Sequence, residues 1–255
     1  MQKKSCVLIG YGRMGSAFIT QFYKDFEFTV VSPNSKPPFE CKQVKSVKQL
    51  DSCYDVIILG VKPYMIHQIL KELDPKTYNK DTIIISLAAG LTVDSMKSTI
   101  GSDVQICVVM CNLAVREGKG ILAIYPPNKM DFLDKCGMCI YVNEEEDIDK
   151  FCAIVGSGSG FCFSILDMYA KAALSMKVSV DVNMEEVVAR LFEGSLEAYR
   201  AQKKSFNDMK DDVITPKGPT DAGLNNLCNA YPIIQNALNS SQNRAQEIGR
   251  NKDNK

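Results

Sequence analysis

Short apolar runs, rich in β-branched residues, recur through the first 150 residues of the chain. Seven of these runs predict strands: CVLIG, FTVVS, DVIILGV, TIIISLA, QICVVM, GILAIY and MCIYV. Between several of them, apolar residues recur every three or four positions, which predicts helices in SAFITQFYKDF, YMIHQILKEL and TVDSMKSTI. Strands that are apolar on both faces are typical of a parallel sheet covered by helices on both sides. We therefore expect a doubly wound α/β sheet.

The pattern changes after the acidic segment NEEEDIDK at 143–150, and no strand is predicted beyond it. Helical patterns follow in SGFCFSILDMYAKAALSM, which is apolar nearly all round, and in the amphipathic MEEVVARLFEGSLEAYRAQ. Two further helical segments, DAGLNNLCNA and PIIQNALNSSQNRAQEI, meet at Pro232. We predict a sheet domain at 1–147 and an all-helical domain at 148–255. Because one chain cannot bury so much apolar helix surface, we expect a homodimer formed through the second domain.

Three glycines follow the first predicted strand in the segment GYGRMG at 10–15. A GxGxxG sequence that ends a strand and opens a helix is typical of a dinucleotide site in a Rossmann-type domain. Gly10 permits the tight turn, Gly12 lets the backbone approach a pyrophosphate, and Gly15 lets the helix pack closely with its first N–H groups towards the phosphates. The alternative is a tight turn without a ligand.

The end of the second predicted strand indicates which dinucleotide binds. Sites for NAD place an acidic residue there, which would repel a 2′-phosphate. This chain has neutral donors and a cation instead, Ser32, Asn34, Ser35 and Lys36. We predict NADP(H) rather than NAD(H). The alternative is an ordinary turn, since Ser-Pro-Asn-Ser also favours one.

The overall charge and the apolar segments indicate where the protein acts. Thirty basic residues balance thirty acidic ones, so no charge excess favours nucleic acid or a membrane surface. No signal-peptide pattern begins the chain, and the apolar uncharged stretch between Lys150 and Asp167 is shorter than the ~20 apolar residues of a spanning helix. We expect a cytoplasmic protein.

The cysteine and histidine residues limit which metal sites and which kinds of catalysis the chain could support. The ten cysteines are scattered, which predicts buried thiols in a reducing compartment. Cys136 and Cys139 form a CxxC sequence, but no second pair completes a zinc site, so we expect no metal. The single histidine, His67, lies in a helical pattern and is interpreted as a helix-surface residue. The chemistry is therefore expected to proceed without an imidazole.

Six segments, taken together and in this order, resemble the pyrroline-5-carboxylate reductase family. They are IGYGRMG, ILGVKPYMI, IISLAAGLT, VVMCNLAVREGKGILAIYP, IVGSGSGFCF and DVITPKGPTDAGL, which span nearly the whole chain. The resemblance implies reduction of 1-pyrroline-5-carboxylate to L-proline by NADPH, and homodimers that in some members assemble into larger rings. It implies these cofactor-binding residues: Gly10, Tyr11, Gly12, Arg13, Met14, Gly15, Ser32, Asn34, Ser35, Lys36, Val61, Lys62, Pro63, Ala88, Ala89 and Gly90.

The same resemblance places the imine in the loop that precedes a late helix. It implies a catalytic Thr220 with its hydroxyl beside the ring nitrogen, and substrate contacts from Thr215, Gly218, Pro219 and Thr220. A protonated imine is already electrophilic, so no strong general base is needed. The alternative interpretation of Thr220 is a helix N-cap. The segment GSGSG at 156–160 is expected either to let helices approach closely or to form a flexible break.

Several residues depart from the family pattern near the expected site. They are Cys111, Leu113 and Ala114 beside Asn112, together with Ser159 and Lys217. Lys217 replaces a usual glycine, so either the loop differs in shape or the ammonium adds a partner for a carboxylate. Two other functions stay open. One is a β-hydroxyacid dehydrogenase that relies on Lys171, and the other is a non-catalytic NADP(H)-binding paralogue.

Overall fold

The computed structural model describes residues 3–101, 103–179 and 181–250, without the side chains of 249 and 250. The chain divides into two compact units. One contains the described residues up to Ser157 and those from Asn239 onward, and the other is Gly158–Leu238. The domain boundary predicted at 147/148 stays a prediction.

The first unit is built on an eight-stranded sheet in the order β3-β2-β1-β4-β5-β6-β7-β8. Its strands are β1 Lys4–Ile9, β2 Phe26–Val31, β3 Lys42–Val44, β4 Val56–Leu59, β5 Ile83–Ser86, β6 Gln105–Cys111, β7 Gly120–Tyr125 and β8 Gly137–Tyr141. All neighbours pair in parallel except β6 and β7, which are antiparallel. The seven predicted strands and the α/β fold class are confirmed, and β3 is an additional edge strand.

Helices cover both faces of this sheet. They are α1 Arg13–Ile19, α2 Ile66–Glu72, α3 Val93–Ile100 and α4 Glu146–Phe151. Alternate residues of the central strands point into two separate apolar clusters, one on each face. The helix predicted through residue 26 was too long, because Phe22 and Phe26 pack edge-on against Phe132 and β2 begins at Phe26.

The second unit is helical, as predicted. It contains α5 Gly158–Ser175, α6 Met184–Gln202, α7 Phe206–Asp211 and α8 Pro219–Leu227, and α9 Tyr231–Arg250 begins there. Helix α7 was not predicted; it is short and begins with a capping box between Ser205 and Asp208. Only Ala170, Met184 and Val188 form a buried apolar cluster in the described part of this unit. Many large apolar side chains are exposed instead, including Phe163, Met168, Leu174, Leu191 and Ile233.

The GSGSG segment at 156–160 is helical and is not a flexible break. Helix α4 continues through a π-helical segment, Cys152–Ser157, into α5, giving one 30-residue helix, Glu146–Ser175. Gly156 does allow close packing, since a Cβ built there would lie 3.3 Å from the Met110 Sδ of β6. An 18-residue window of the long helix has a mean hydropathy of 1.5 and is 11% buried, so by length and composition this helix could cross a membrane.

Candidate active site

The predicted cofactor residues gather at one edge of the sheet. Strands β2, β1, β4 and β5 are consecutive neighbours and run parallel. The four predicted segments, 10–15, 32–36, 61–63 and 88–90, each follow the carboxyl end of one of these strands. In an open α/β sheet a ligand crevice forms at this edge. All of these residues belong to the first unit.

The turn at residues 10–15, called the glycine turn below, packs closely around the Gly10 carbonyl group. Gly10 has a φ of +99°, and its N–H donates to the Val31 carbonyl at 2.9 Å. A Cβ built on Gly15 would lie 2.4 Å from the Gly10 oxygen, and one built on Gly60 would lie 2.8 Å from it. By contrast, a Cβ on Gly12 would meet no atom within 4 Å. The turn is thus packed tightly on its inner side and open at Gly12, as an approaching phosphate requires.

Sequence reasoning missed Gly60, although the residue stands directly after the buried strand β4. Its N–H donates to the Ile9 carbonyl at 2.8 Å, which ties the end of β4 to the end of β1. The position of Gly60, between the buried strand β4 and the VKP segment, could have indicated that it packs beside the glycine turn. Its contact with the Gly10 carbonyl could not be predicted, because it depends on how β1 and β4 pair.

The segment after β2 forms a turn and also offers exposed polar groups. Ser32 is buried, and its Oγ accepts a hydrogen bond from the Ser35 N–H at 3.1 Å. The Gln43 amide donates to the carbonyls of Ser32 and Ser35 at 3.3 and 2.9 Å. Asn34, Ser35 and Lys36 are exposed, and Lys36 forms no ion pair within the described ranges. The segment is therefore a turn, and that turn also exposes a cation and neutral donors. The two interpretations, an ordinary turn and a site for a 2′-phosphate, are compatible.

The ends of β4 and β5 form the other half of the crevice edge. Lys62 is exposed and precedes a 3-10 turn, Pro63–Met65, whereas Val61 packs against the core. Ala88 is buried, and Gly90 has a φ of +71°, which a larger residue would adopt only with strain. These small residues add little side-chain volume beyond the end of β5.

A second arginine near the glycine turn was not predicted. Arg116 lies in the 3-10 helix Leu113–Glu117, and its Nη2 donates to Ser16 Oγ of α1 at 3.3 Å. Burial raises the pKa of Tyr11 above its ordinary value, and the nearby charge of Arg116 offsets part of that rise. No sequence signal marks Arg116, which comes near α1 only through the packing of the β6–β7 connection.

The loop predicted to hold the substrate lies in the second unit and starts α8. The Gly218 N–H donates to the Thr215 carbonyl at 2.8 Å, which closes a turn through Pro216 and Lys217. The N-cap of α8 is Gly218, so the interpretation of Thr220 as an N-cap was wrong. Pro219 fills the first helical position and moves Thr220 inside the helix. Thr220 is exposed, and its hydroxyl has no hydrogen-bond partner among the residues that the structure describes.

Comparison with protein families covers both units. The family described as pyrroline-5-carboxylate reductase dimerisation matches residues 145–248, and the family described as NADP oxidoreductase, coenzyme F420-dependent, matches residues 5–90. The chain is also 29% identical to the pyrroline-5-carboxylate reductase of Aquifex aeolicus, over 86% of this chain and 87% of that protein. The chain is similar to pyrroline-5-carboxylate reductases over most of its length. The corresponding enzyme of Pasteurella multocida is 26% identical over 97% of this chain and 98% of its own length.

Solved structures of this reductase family share the fold. The Plasmodium falciparum pyrroline carboxylate reductase, crystallised with NADP bound, superposes with a TM-score of 0.83 at 22% identity, covering 98% of this chain and 99% of that one. The Streptococcus pyogenes enzyme gives a TM-score of 0.82 at 22% identity, covering 96% and 99%. At this level of identity the agreement establishes the fold.

Two side chains that could support other chemistry, Lys171 and His67, each have a partner in the structure. Lys171, on which a β-hydroxyacid dehydrogenase would rely, is exposed and pairs with Asp167 one turn away at 2.7 Å. The His67 Nδ1 lies 2.7 Å from Thr99 Oγ1. His67 is therefore half-buried between α2 and α3, where it links the two helices.

The CxxC pair is built into the core of the first unit. The Cys136 thiol is fully buried, and burial raises its pKa to about 12. Cys139 is half-buried, and desolvation together with Asp134 raises its pKa to about 11. All ten cysteines are free, and no group of potential metal ligands occurs among the described residues. Thiols that stay protonated at neutral pH are poor nucleophiles and poor metal ligands.

Proposed function

We propose that this protein reduces 1-pyrroline-5-carboxylate to L-proline with NADPH, the last step of proline biosynthesis. The observation that carries the proposal is the carboxyl edge of the sheet. It combines a tightly closed glycine turn, an open position at Gly12 and a segment after β2 with no acidic residue. Similarity to pyrroline-5-carboxylate reductases supplies the reaction that such an edge would serve.

The cofactor is assigned to the first unit. The backbone at Gly10, Gly12 and Gly15 would receive the pyrophosphate, with Tyr11, Arg13 and Met14 around it. The exposed Asn34, Ser35 and Lys36, next to the buried Ser32, would bind a 2′-phosphate, which favours NADPH over NADH. Residues 61–63 and 88–90 would lie against the nicotinamide half. When bound, NADPH supplies the hydride.

The imine is assigned to the loop Thr215–Thr220 of the second unit. The Thr220 hydroxyl is free to hydrogen-bond with the ring nitrogen, because it caps no helix. Backbone groups at Thr215, Gly218 and Pro219 would lie near the substrate carboxylate, although proline has no N–H to donate. Orientation and polar stabilisation are then the contribution of the protein. No imidazole is required, which agrees with the bond between His67 and Thr99.

The assembly assigned to this protein is a homodimer formed through the helical unit. The dimerisation family covers 145–248 and includes most of the exposed apolar side chains. It also includes the long helix Glu146–Ser175, so a second subunit is favoured over a bilayer as the cover for that helix. A ring of dimers, a cytoplasmic location and the absence of nucleic-acid partners are further parts of the proposal.

The decisive experiment uses purified protein, NADPH and pyrroline-5-carboxylate, and follows the loss of absorbance of the reduced cofactor. We expect turnover with this imine and none when β-hydroxyacids are offered with NADP. Tight NADPH binding without turnover would instead support a non-catalytic paralogue. Size-exclusion chromatography tests the assembly in parallel, and a stable 28.3 kDa monomer would contradict the proposed dimer.

A further inference from the structure

The backbone of Lys217 adopts a conformation that usually belongs to glycine. Its φ is +62°, and it occupies the third position of the turn Thr215–Gly218, behind Pro216. Proline at the second position and a positive φ at the third define a type II turn, which favours glycine at the third. The loop therefore keeps the shape that a glycine would give it, and the lysine side chain is an addition to that shape.

Asp221 holds Lys217 in this conformation. Its Oδ2 accepts a hydrogen bond from the Lys217 N–H at 2.9 Å. Asp221 is the third residue of α8, so its negative charge stands at the end of the helix where the proposed substrate carboxylate would bind. Two carboxylates at one site repel each other. Unless a cation compensates, Asp221 would weaken the binding of an anionic substrate.

Lys217 is the only cation in the segment 213–224, and Asp221 is the only anion. The lysine side chain is exposed, and in the part of the chain that the structure describes it forms no ion pair, with Asp221 or with any other residue. The Asp221 carboxylate contacts the Lys217 backbone, which leaves the ammonium group available. Its flexible stem allows it to reach an anion bound beside Thr220.

We propose that Lys217 is a specificity-determining residue of this chain, and that its ammonium binds the substrate carboxylate and offsets the charge of Asp221. The proposal rests on the function proposed above. In this arrangement Asp221 is a positioning residue, because it acts by fixing the backbone from which the ammonium extends. With the charge of Asp221 offset, Lys217 favours binding of imines that carry a carboxylate and does not affect neutral imines.

The test compares pyrroline-5-carboxylate with 1-pyrroline, the same ring without the carboxylate. We expect Lys217→Met to raise KM for pyrroline-5-carboxylate about 1.5-fold to fivefold, the range of an exposed charge pair. The KM for 1-pyrroline and the Kd for NADPH should not change. The double variant Lys217→Met/Asp221→Asn should recover most of the lost affinity, because it removes both charges and keeps an acceptor for the 217 N–H.

Lys203→Met is the matched control. Lys203 is also exposed and also has a positive φ, +54°, but it ends helix α6 outside the loop. This variant should leave both KM values at their wild-type levels. An equal rise of both KM values in Lys217→Met would overturn the proposal and leave Lys217 a role in loop shape only. No change in either KM would overturn it as well. Wild-type protein that does not turn over pyrroline-5-carboxylate would overturn the proposed function itself, and this inference with it.

Discussion

Two glycines of the GxGxxG turn, Gly12 and Gly15, should respond in different ways to the same substitution. At Gly15 an added Cβ would lie 2.4 Å from the Gly10 oxygen, so the backbone would have to move by at least about 0.6 Å. Overpacking of this kind costs about 1–3 kcal/mol. At the ~2–4 °C per kcal/mol expected for a chain of this size, Gly15→Ala should lower Tm by about 2–12 °C.

At Gly12 the same methyl group meets no protein atom, and φ is −89°, which alanine adopts without strain. The loss of a glycine N-cap from α1 costs only a few tenths of a kcal/mol to about 1 kcal/mol, so Gly12→Ala should lower Tm by less than about 4 °C. The methyl group would, however, occupy the space through which a pyrophosphate approaches the backbone. We expect the Kd for NADPH to rise about tenfold or more.

Thermal unfolding followed by circular dichroism measures the Tm of both variants. The protomer concentration is held fixed, because the Tm of a dimer depends on concentration. A fluorescence titration with NADPH measures the change in Kd for Gly12→Ala. Wild-type affinity in Gly12→Ala would refute the assignment of the pyrophosphate to this turn. Wild-type Tm in Gly15→Ala would show that the packing around the Gly10 carbonyl does not hold the turn.

Three further predictions concern the reaction, the pH dependence of stability and the thiols. Thr220→Ala should lower kcat about tenfold or more, with NADPH affinity unchanged and activity restored by Thr220→Ser; an equal loss of both would make Thr220 structural. Glu145 accepts a hydrogen bond from the Val93 N–H at 2.6 Å, while desolvation by burial raises its pKa. Because the pKa of Glu145 is higher in the folded than in the unfolded protein, its ionisation lowers the stability of the fold as pH rises above the unfolded-state pKa. Glu145→Gln should therefore raise Tm at about pH 7.5 and not at about pH 4. A lower Tm of the variant at the higher pH would contradict this. Burial raises the pKa of Cys136 to about 12 and that of Cys139 to about 11. Iodoacetamide at neutral pH should therefore modify neither thiol in the folded protein and both after denaturation. Alkylation of Cys136 in the folded protein, detected by peptide mass spectrometry, would disprove the buried-thiol interpretation.

Strands were easier to predict than helix ends. Runs such as DVIIL are apolar on both faces and can only be buried, so their place in a covered sheet follows from the sequence. The three residues of β3, Lys-Gln-Val, carry no such pattern because an edge strand is partly solvated. Helix α1 ends early for a tertiary reason, since Phe22 and Phe26 pack against the distant Phe132.

The site was predictable where local sequence determines it. The GxGxxG spacing and the missing acidic residue after β2 are local, and both could be identified before the structure. Arg116 and the contact between Gly60 and the Gly10 carbonyl could not, because only helix packing or strand pairing brings each residue to its neighbour. The role of Asp221 depends on a turn in which a lysine takes a glycine conformation, and propensities argue against that residue there.

The reversed direction of β7 has a consequence for the crevice. A parallel crossover from β6 would have carried the chain to the opposite edge of the sheet before the next strand began. The antiparallel hairpin instead keeps residues 112–119 at the carboxyl edge, on the same side as the glycine turn. These residues, with Leu113 and Arg116 among them, add a rim that an all-parallel sheet would lack. Changes in this hairpin can therefore alter what the crevice admits while strands β1, β2, β4 and β5 stay as they are.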